Sequence, residues 1–381
     1  MQLSRTVILM FHIAMGIAYC YLLHRFIWRA PIKRLLKIGL TLLLLFISQY
    51  HLLLKMLFGN MFSPEMPRWA ILLAAGSFCY FIILFLFVVL LDLNLLIQAI
   101  IKNQFFSRID HRIRYSVLPM CVFVLTVIGV YQAVQIPQVK QLELPLSGLS
   151  KQYDGLRVVQ LTDLHLGILF DDHWASAVTN ATNALHPDII LISGDLIDGT
   201  VANRIKDIAP LKKLKAPLGV YTSLGNHEYY FDAQAWEKHF TQLGMTVLSN
   251  ESRIIGNRIF NLAAVTDEVA PEYGLSGPHI DSALEHIDKQ LPIVLLKHQP
   301  INAAYSAQHG VQLQLSGHTH GGMIKGLDYL LGFFNQGFIS GLFRVESMNL
   351  YVSNGAGLWN GFPIRLGVPA EITLFTLRSA P

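Results

Sequence analysis

The chain has 381 residues, a mean hydropathy of +0.43, 52% hydrophobic residues and 14% charged ones. Soluble globular proteins carry about 25% charged residues, so this composition excludes an ordinary cytosolic enzyme. The net charge of +4 averages two unlike parts: residues 1–135 hold 12 Lys/Arg and 3 Asp/Glu, for +9, whereas residues 136–381 hold 17 and 22, for −5.

The basic part contains four apolar stretches, at about 6–23, 38–54, 69–91 and 116–134, each close to the roughly 20 residues of helix that cross a hydrocarbon core. The third is the clearest, since no charge interrupts it between Arg68 and Asp92. The first is followed by Arg25, Arg29, Lys33, Arg34 and Lys37 where a signal peptide would show a small-residue cleavage site, so it reads as a retained helix. These five basic residues, with Lys102, Arg108, Arg112 and Arg114 of the third loop, outnumber Arg5, Lys55, Arg68 and Lys140 on the opposite side. Basic short loops stay in the cytoplasm, which puts both termini outside it if all four stretches cross. The spans show no row of ionisable residues lining a transport path: His12 and His51 read as lone packing residues and Asp92 as an interfacial one. Cys20, Cys79 and Cys121 all fall in the apolar stretches, so no disulfide staples the part beyond.

Residues 136–154, with Pro137, Pro145 and Gly148, have linker character. Beyond them, short apolar strand runs are expected at 156–161, 189–193, 219–223, 259–265, 293–297, 311–315, 350–352 and 372–377. Helical periodicity fits 172–185, 233–243 and 282–290. Interleaved strands and helices predict an α/β domain over residues 155–381, with sheet faces covered by helices.

Each strand run is followed closely by polar residues of one chemical kind. In order they are Asp163-Leu164-His165, Gly194-Asp195, Gly225-Asn226-His227-Glu228, His298 and Gly317-His318-Thr319-His320. Ligand-binding loops of α/β sheets lie at strand C-terminal ends. Carboxylate, imidazole and amide oxygen without thiolate suit Mn²⁺, Fe²⁺ or Zn²⁺, and a carboxylate can bridge two ions. The spacing of Asp163-x-His165 and His318-x-His320 would point both side chains of each pair one way on an extended segment. Singly these are common triplets; all five in this order, on strand ends, converge on a two-metal site.

These five blocks resemble those of the calcineurin-like metallophosphoesterase superfamily, and the stretch from Asn360-Gly361-Phe362-Pro363-Ile364-Arg365 to Pro369-Ala370-Glu371-Ile372 is similar to its bacterial membrane-associated phosphodiesterase branch. The resemblance covers residues 155–381 and implies two mixed sheets packed face to face with helices outside. It implies a first metal held by Asp163, His165, Asp195 and His320, and a second held by Asp195, Asn226, His298 and His318, with Asp195 bridging. His227 would act as the catalytic proton donor to the leaving oxygen rather than as a ligand.

Two such ions can hold a bridging hydroxide for in-line attack, and imidazole suits protonation of an alkoxide leaving group. The expected activity is hydrolysis of a phosphodiester by a protein anchored in the bacterial plasma membrane, its catalytic domain extracytoplasmic. A lipid-linked or envelope phosphodiester leads as substrate, because the metal site lies a short stretch of chain beyond the last span. The apolar run 321–343 reads first as core packing beneath the site and second as a wall meeting lipid or an acyl chain. At −5 the domain is not nucleic-acid-binding by charge. The alternatives are a pyrophosphohydrolase of the UDP-2,3-diacylglucosamine type, which requires a cytoplasmic site; a non-catalytic scaffold, disfavoured by the intact ligand set; and a transporter, disfavoured by the lack of intramembrane charge.

Overall fold

The computed structural model describes residues 5–101 and 112–380, so Lys102 and Arg108 lie outside the described residues. It divides into a helical unit of residues 3–132 with 360–364, and a second unit made of residues 133–359 and 365–381.

The helical unit opens with α1 (Arg5–Leu22), continued by a wider π turn at Leu23–Ile27. It proceeds through α2 (Arg34–Ser48), α3 (Tyr50–Phe58), α4 (Arg68–Ile101) and α5 (Leu118–Ala133), the last preceded by a π turn at Ile113–Val117. Among the described residues, three helices are long and apolar enough to cross a membrane: Leu9–Ile27, Arg68–Ile101 and Ile113–Ala133. The expected second span falls on the bent pair α2–α3, broken by 61°, which passes the length and hydropathy test as a pair. At the break the Ser48 hydroxyl donates to the Leu45 carbonyl at 2.9 Å, a back-bond that bends helices.

The third span also runs on past its expected end, because Asp92 is no lone interfacial charge. Its carboxylate accepts hydrogen bonds from Arg25 Nε at 2.7 Å, Arg114 Nη2 at 3.1 Å and the Tyr21 hydroxyl at 2.8 Å. With its charge neutralised by partners from α1 and the π turn before α5, the carboxylate can stay on an apolar helix.

In the second unit, the strands among the described residues form two six-stranded mixed sheets. The chain supplies β1 (Gln138–Ser147), β2 (Leu156–Leu161), β3 (Ile189–Ser193), β4 (Val220–Ser223), β5 (Thr246–Val247), β6 (Glu251–Ile254), β7 (Asn261–Ala264), β8 (Ile293–Leu296), β9 (Leu313–Ser316), β10 (Gly341–Val345), β11 (Met348–Val352) and β12 (Glu371–Ala380). The first sheet has the order β1-β12-β2-β3-β4-β5 and the second β10-β11-β9-β8-β7-β6. Side chains of both sheets share one core: Val158, Ile189, Leu191 and Phe375 from the first meet Leu262, Val294, Leu315 and Tyr351 from the second. The intervening residues of β3, Ile190 and Ile192, are equally buried on the other face, as expected for strands covered on both sides. Helices α6 (Asp172–Ala184), α7 (Val201–Ile208), α8 (Asn226–Tyr230) and α9 (Ala233–Gln242) occupy the connections after β2, β3 and β4.

Two expectations need correction. Residues 136–154 are not a linker: β1 pairs in parallel with β12 over ten residues, burying Leu144 and Leu146. Pro145, which suggested a turn, is tolerated because β1 is an edge strand. The expected helix at 282–290 is reduced to Ile280–Ala283. The Asn261 side chain accepts from the Asp288 N–H at 2.9 Å and donates to the carbonyls of Asp288 and Leu291, drawing off the backbone groups that a longer helix needs.

Candidate metal centre

The site is built on the loops that leave β2, β3, β4, β8 and β9 at their C-terminal ends. Asp163, His165, Asp195, Asn226, His227, His298 and His320 are buried, and His318 is half-buried. One ligand atom from each of Asp163, His165 and His320 falls within 4.8 Å of the others, and the same holds for Asp195, His298 and His318. Asp195 Oδ2 lies 3.7 Å from His165 Nε2 and 3.2 Å from His298 Nε2, between the two groups. The Asn226 side-chain oxygen completes the second, 3.2 Å from His298 Nε2 and 2.9 Å from His318 Nδ1.

Convergence is reached by a route other than extended-strand alternation. Asp163, His165, Asp195, His318 and His320 all adopt positive φ, between 46° and 68°. Left-handed non-glycine residues cost roughly 1–3 kcal/mol each and persist where the surrounding structure over-determines them. Here that surrounding structure is a set of close backbone approaches. A Cβ on Gly225 would lie 2.3 Å from Asp195 Oδ1, and one on Gly317 would lie 2.2 Å from Asp163 Oδ2.

The donor set fits divalent cations. Among the described residues, His165 Nε2 and His320 Nδ1 are buried with no hydrogen-bond partner. Several buried carboxylates so close together are costly without a cation. Burial, followed by repulsion from His298, lowers His318 to about 3. Burial, followed by His165, also holds His320 well below its ordinary value, and both imidazoles are thus held in the neutral form that ligates. Burial opposes ionisation of Asp195, but His298 and His227 outweigh it and hold the carboxyl well below its ordinary value.

His227 lies against the ligand set: one of its ring nitrogens falls within 4.8 Å of ligand atoms of His165 and Asp195, and its backbone N–H donates to Asp195 Oδ1 at 2.9 Å. Burial works against its charge, yet Asp195 and Asp198 raise it to about 9. Its Nδ1 is 2.5 Å from Asp198 Oδ1, and its ring lies edge-on to His165 at 4.5 Å.

Sequence reasoning gave no role to four residues that hold the site together. Asp198 also takes His165 Nδ1 at 3.2 Å, so one buried carboxylate orients two imidazoles. Its signal was its place three residues after Asp195. The Glu228 carboxylate accepts from the N–H groups of Gly225, Asp195 and Leu196 at 2.7–3.0 Å, tying the β3 and β4 loops together. Burial, then Asp195, pushes it up to about 8. Arg365 is buried and donates to the carbonyls of His320, Asn354, Gly355 and Gly357. Asn354 in turn anchors Ser340 at 2.6 Å. Only contacts between residues distant in sequence give Arg365 and Asn354 meaning.

Residues 156–322 match the family model of the calcineurin-like phosphoesterases. The chain is 32% identical over 333 residues to a transmembrane protein with metallophosphoesterase domain from Danio rerio, covering 82% of this chain and 75% of that protein. It is 34% identical over 251 residues to an uncharacterized metallophosphoesterase of Helicobacter pylori, covering 65% of this chain. The match spans 66% of that relative's length, just under two thirds. Among solved structures, a dimetal phosphatase from Danio rerio aligns over 53% of this chain and 88% of that one, at 13% identity and a TM-score of 0.35. The chain belongs to the calcineurin-like metallophosphoesterase family and is a metal-dependent phosphoesterase. Within that family its N-terminal helices place it beside members whose relatives in Danio rerio and Bos taurus are named transmembrane proteins.

Proposed function

We propose that this protein hydrolyses a phosphodiester of a membrane-linked substrate at the extracytoplasmic face of the plasma membrane. The carrying observation is the two ligand groups that share Asp195 while His227, held by Asp198, stands beside them. Asp163, His165, Asp195 and His320 would hold one divalent ion, and Asp195, Asn226, His298 and His318 the other, with Mn²⁺, Fe²⁺ and Zn²⁺ all suited to the donors. When bound, two such ions supply Lewis acidity toward the phosphoryl oxygens and make water nucleophilic at neutral pH.

The remaining chemistry belongs to the chain. Asp198 fixes His227 through Nδ1 and favours its protonated form, so Nε2 is the atom that delivers a proton to the leaving oxygen. Water adds its oxygen to phosphorus, the ester P–O bond breaks, and the proton from His227 completes the alcohol. The products are a phosphomonoester and that alcohol, and the water-derived proton restores His227.

Contacts within the helical unit support the sidedness. Arg25 at the end of the first helix, Asp92 late in α4 and Arg114 just before α5 meet at one point, so they share one end of the unit. α4 then starts at the opposite end, and the bent α2–α3 pair carries the chain across. His51 of α3 agrees: its ring lies 5.3 Å from Phe11, early in α1, and 4.6 Å from Phe78, in the first half of α4. With four crossings, basic-loop retention puts Arg25, Arg29, Lys33, Arg34 and Lys37 in the cytoplasm and the chain that follows α5 outside it. Only four residues separate Ala133 from Gln138, the start of β1, and this short covalent link to an apolar helix favours a lipid-linked substrate.

The test uses the full chain in detergent, with Mn²⁺, Fe²⁺, Zn²⁺ or Mg²⁺, on bis(p-nitrophenyl) phosphate, p-nitrophenyl phosphate and a nucleotide-linked acyl sugar. Metal-dependent turnover of the diester, with Asp195→Asn losing both bound metal and activity, is expected. Silence on every substrate would favour a scaffold. Turnover of the nucleotide sugar alone, with a C-terminal reporter in the cytoplasm, would favour the pyrophosphohydrolase.

A further inference from the structure

Only part of the apolar run 321–343 packs as core: Ile339 is buried, and Phe338 and Phe343 pack against a buried cluster, but the middle of the run is exposed. Tyr329 is 82% exposed, Leu330 59%, Phe333 91% and Phe334 77%, on a short helix at Asp328–Gly332 and the 3-10 turn Phe333–Asn335 that follows it. Four large apolar side chains together facing water represent a large unused driving force for burial. Behind them lies an open cleft of about 630 Å³, lined by Lys325, Tyr329, Phe333, Ile339, Ser340 and Phe343 among others. That volume falls within the roughly 300–1,000 Å³ of ligand sites.

The cleft is joined to the metal centre through hydrogen bonds. Thr319, between the expected ligands His318 and His320, donates through its hydroxyl to the Ile339 carbonyl at 2.6 Å. Ser340 bonds Asn354, whose carbonyl accepts from Arg365, and Arg365 also holds the His320 carbonyl. One wall of the cleft and the loop carrying two expected ligands are thus one connected piece of structure. The charged residues lining the cleft are Lys325 and Asp328, and the Asp328 carboxylate is engaged by the Gly326 N–H at 2.7 Å. Lys325 is the cation in this lining.

We infer that this cleft is the acyl-chain subsite of the enzyme: it receives a hydrocarbon chain of the phosphodiester substrate while the phosphoryl group lies at the metal centre. The inference rests on the phosphodiesterase reading above and names its substrate class as a phosphodiester carrying a long aliphatic chain. An aromatic-rimmed apolar cleft suits a flexible chain, Lys325 of its lining suits an anionic group on the same molecule, and the chain that bears the cleft is covalently joined to apolar helices long enough to cross a membrane.

The experiment measures kcat/KM of the full chain for alkyl p-nitrophenyl phosphodiesters from ethyl to hexadecyl, at fixed mole fraction in nonionic mixed micelles. In the native protein kcat/KM should rise at least about tenfold from ethyl to hexadecyl, since even single methylenes in apolar pockets discriminate. In Phe333→Ser and in Tyr329→Ser the rise should flatten, so that the hexadecyl-to-ethyl ratio falls about tenfold, whereas Phe333→Trp should restore it. A flat chain-length profile in the native protein overturns the subsite. So does an equal loss on every ester, which would mean a role in folding or general bilayer contact. An intact profile with loss of a dimer in Phe333→Ser would assign the face to a second copy of the chain. Absence of ethyl ester hydrolysis, by contrast, strikes at the phosphodiesterase reading itself.

Discussion

Asp198 shows how one unremarked residue governs two functional ones. Its carboxylate holds Nδ1 of both His165 and His227, setting the tautomer of an expected ligand and the charge of the expected proton donor. Asp198→Asn should therefore retain most bound metal yet lower kcat by about 10–100-fold, as loss of an outer-shell partner does. Metal content by mass spectrometry alongside steady-state kinetics checks this; parallel loss of both would make Asp198 a structural residue only. His227→Ala should likewise keep its metal and lose rate by about 10²–10⁴-fold, the usual worth of a positioned general acid. Bound metal that disappears with His227 would make it a ligand. The site residues themselves were legible in sequence because donor type and strand-end position are local properties. Asp198, Glu228, Asn354 and Arg365 were not, because what they bond is remote along the chain.

At the scale of elements, the strands that were read most accurately, β2 and β3, are mostly apolar and buried on both faces. β1 was missed because an edge strand tolerates Pro145 and needs only alternate burial. The turn after β3 requires glycine. Gly194 has φ +91°, and a Cβ there would come within 2.5 Å of Gly225 N and 2.8 Å of His298 Nδ1. Gly194→Ala should destabilise the domain by at least about 2 kcal/mol and sharply reduce turnover, which chemical denaturation and kinetics on the same preparation can read. In the helical unit, Asp92→Leu leaves Arg25 and Arg114 without their carboxylate and should lower the melting temperature in detergent. Adding Arg25→Leu and Arg114→Leu should recover much of the loss. A single variant that melts like the native protein would show that the ion triad contributes nothing.

For the molecule as a whole, the phosphoesterase fold brings its carboxylates together at a cost that bound cations offset. At free metal about 100-fold above Kd, one bound ion stabilises the folded state by about 2.7 kcal/mol. Chelation should accordingly lower the melting temperature of the phosphoesterase unit by several degrees and leave an Asp195→Asn variant little changed, as calorimetry with and without chelator can establish. What the sequence by itself determined was the division into an apolar basic part and an acidic α/β part, the metal-binding chemistry and the seven candidate ligand residues, since composition, periodicity and donor type are carried by the residues themselves. Only the tertiary structure decided that Asp195 stands between the two ligand groups, that Asp92 is paired with two arginines, that residues 138–147 close the edge of a sheet, and that Tyr329 and Phe333 face outward around a cleft. Each of these depends on which remote segments meet, and an apolar residue has the same hydropathy whether its neighbour in space is protein, water or lipid.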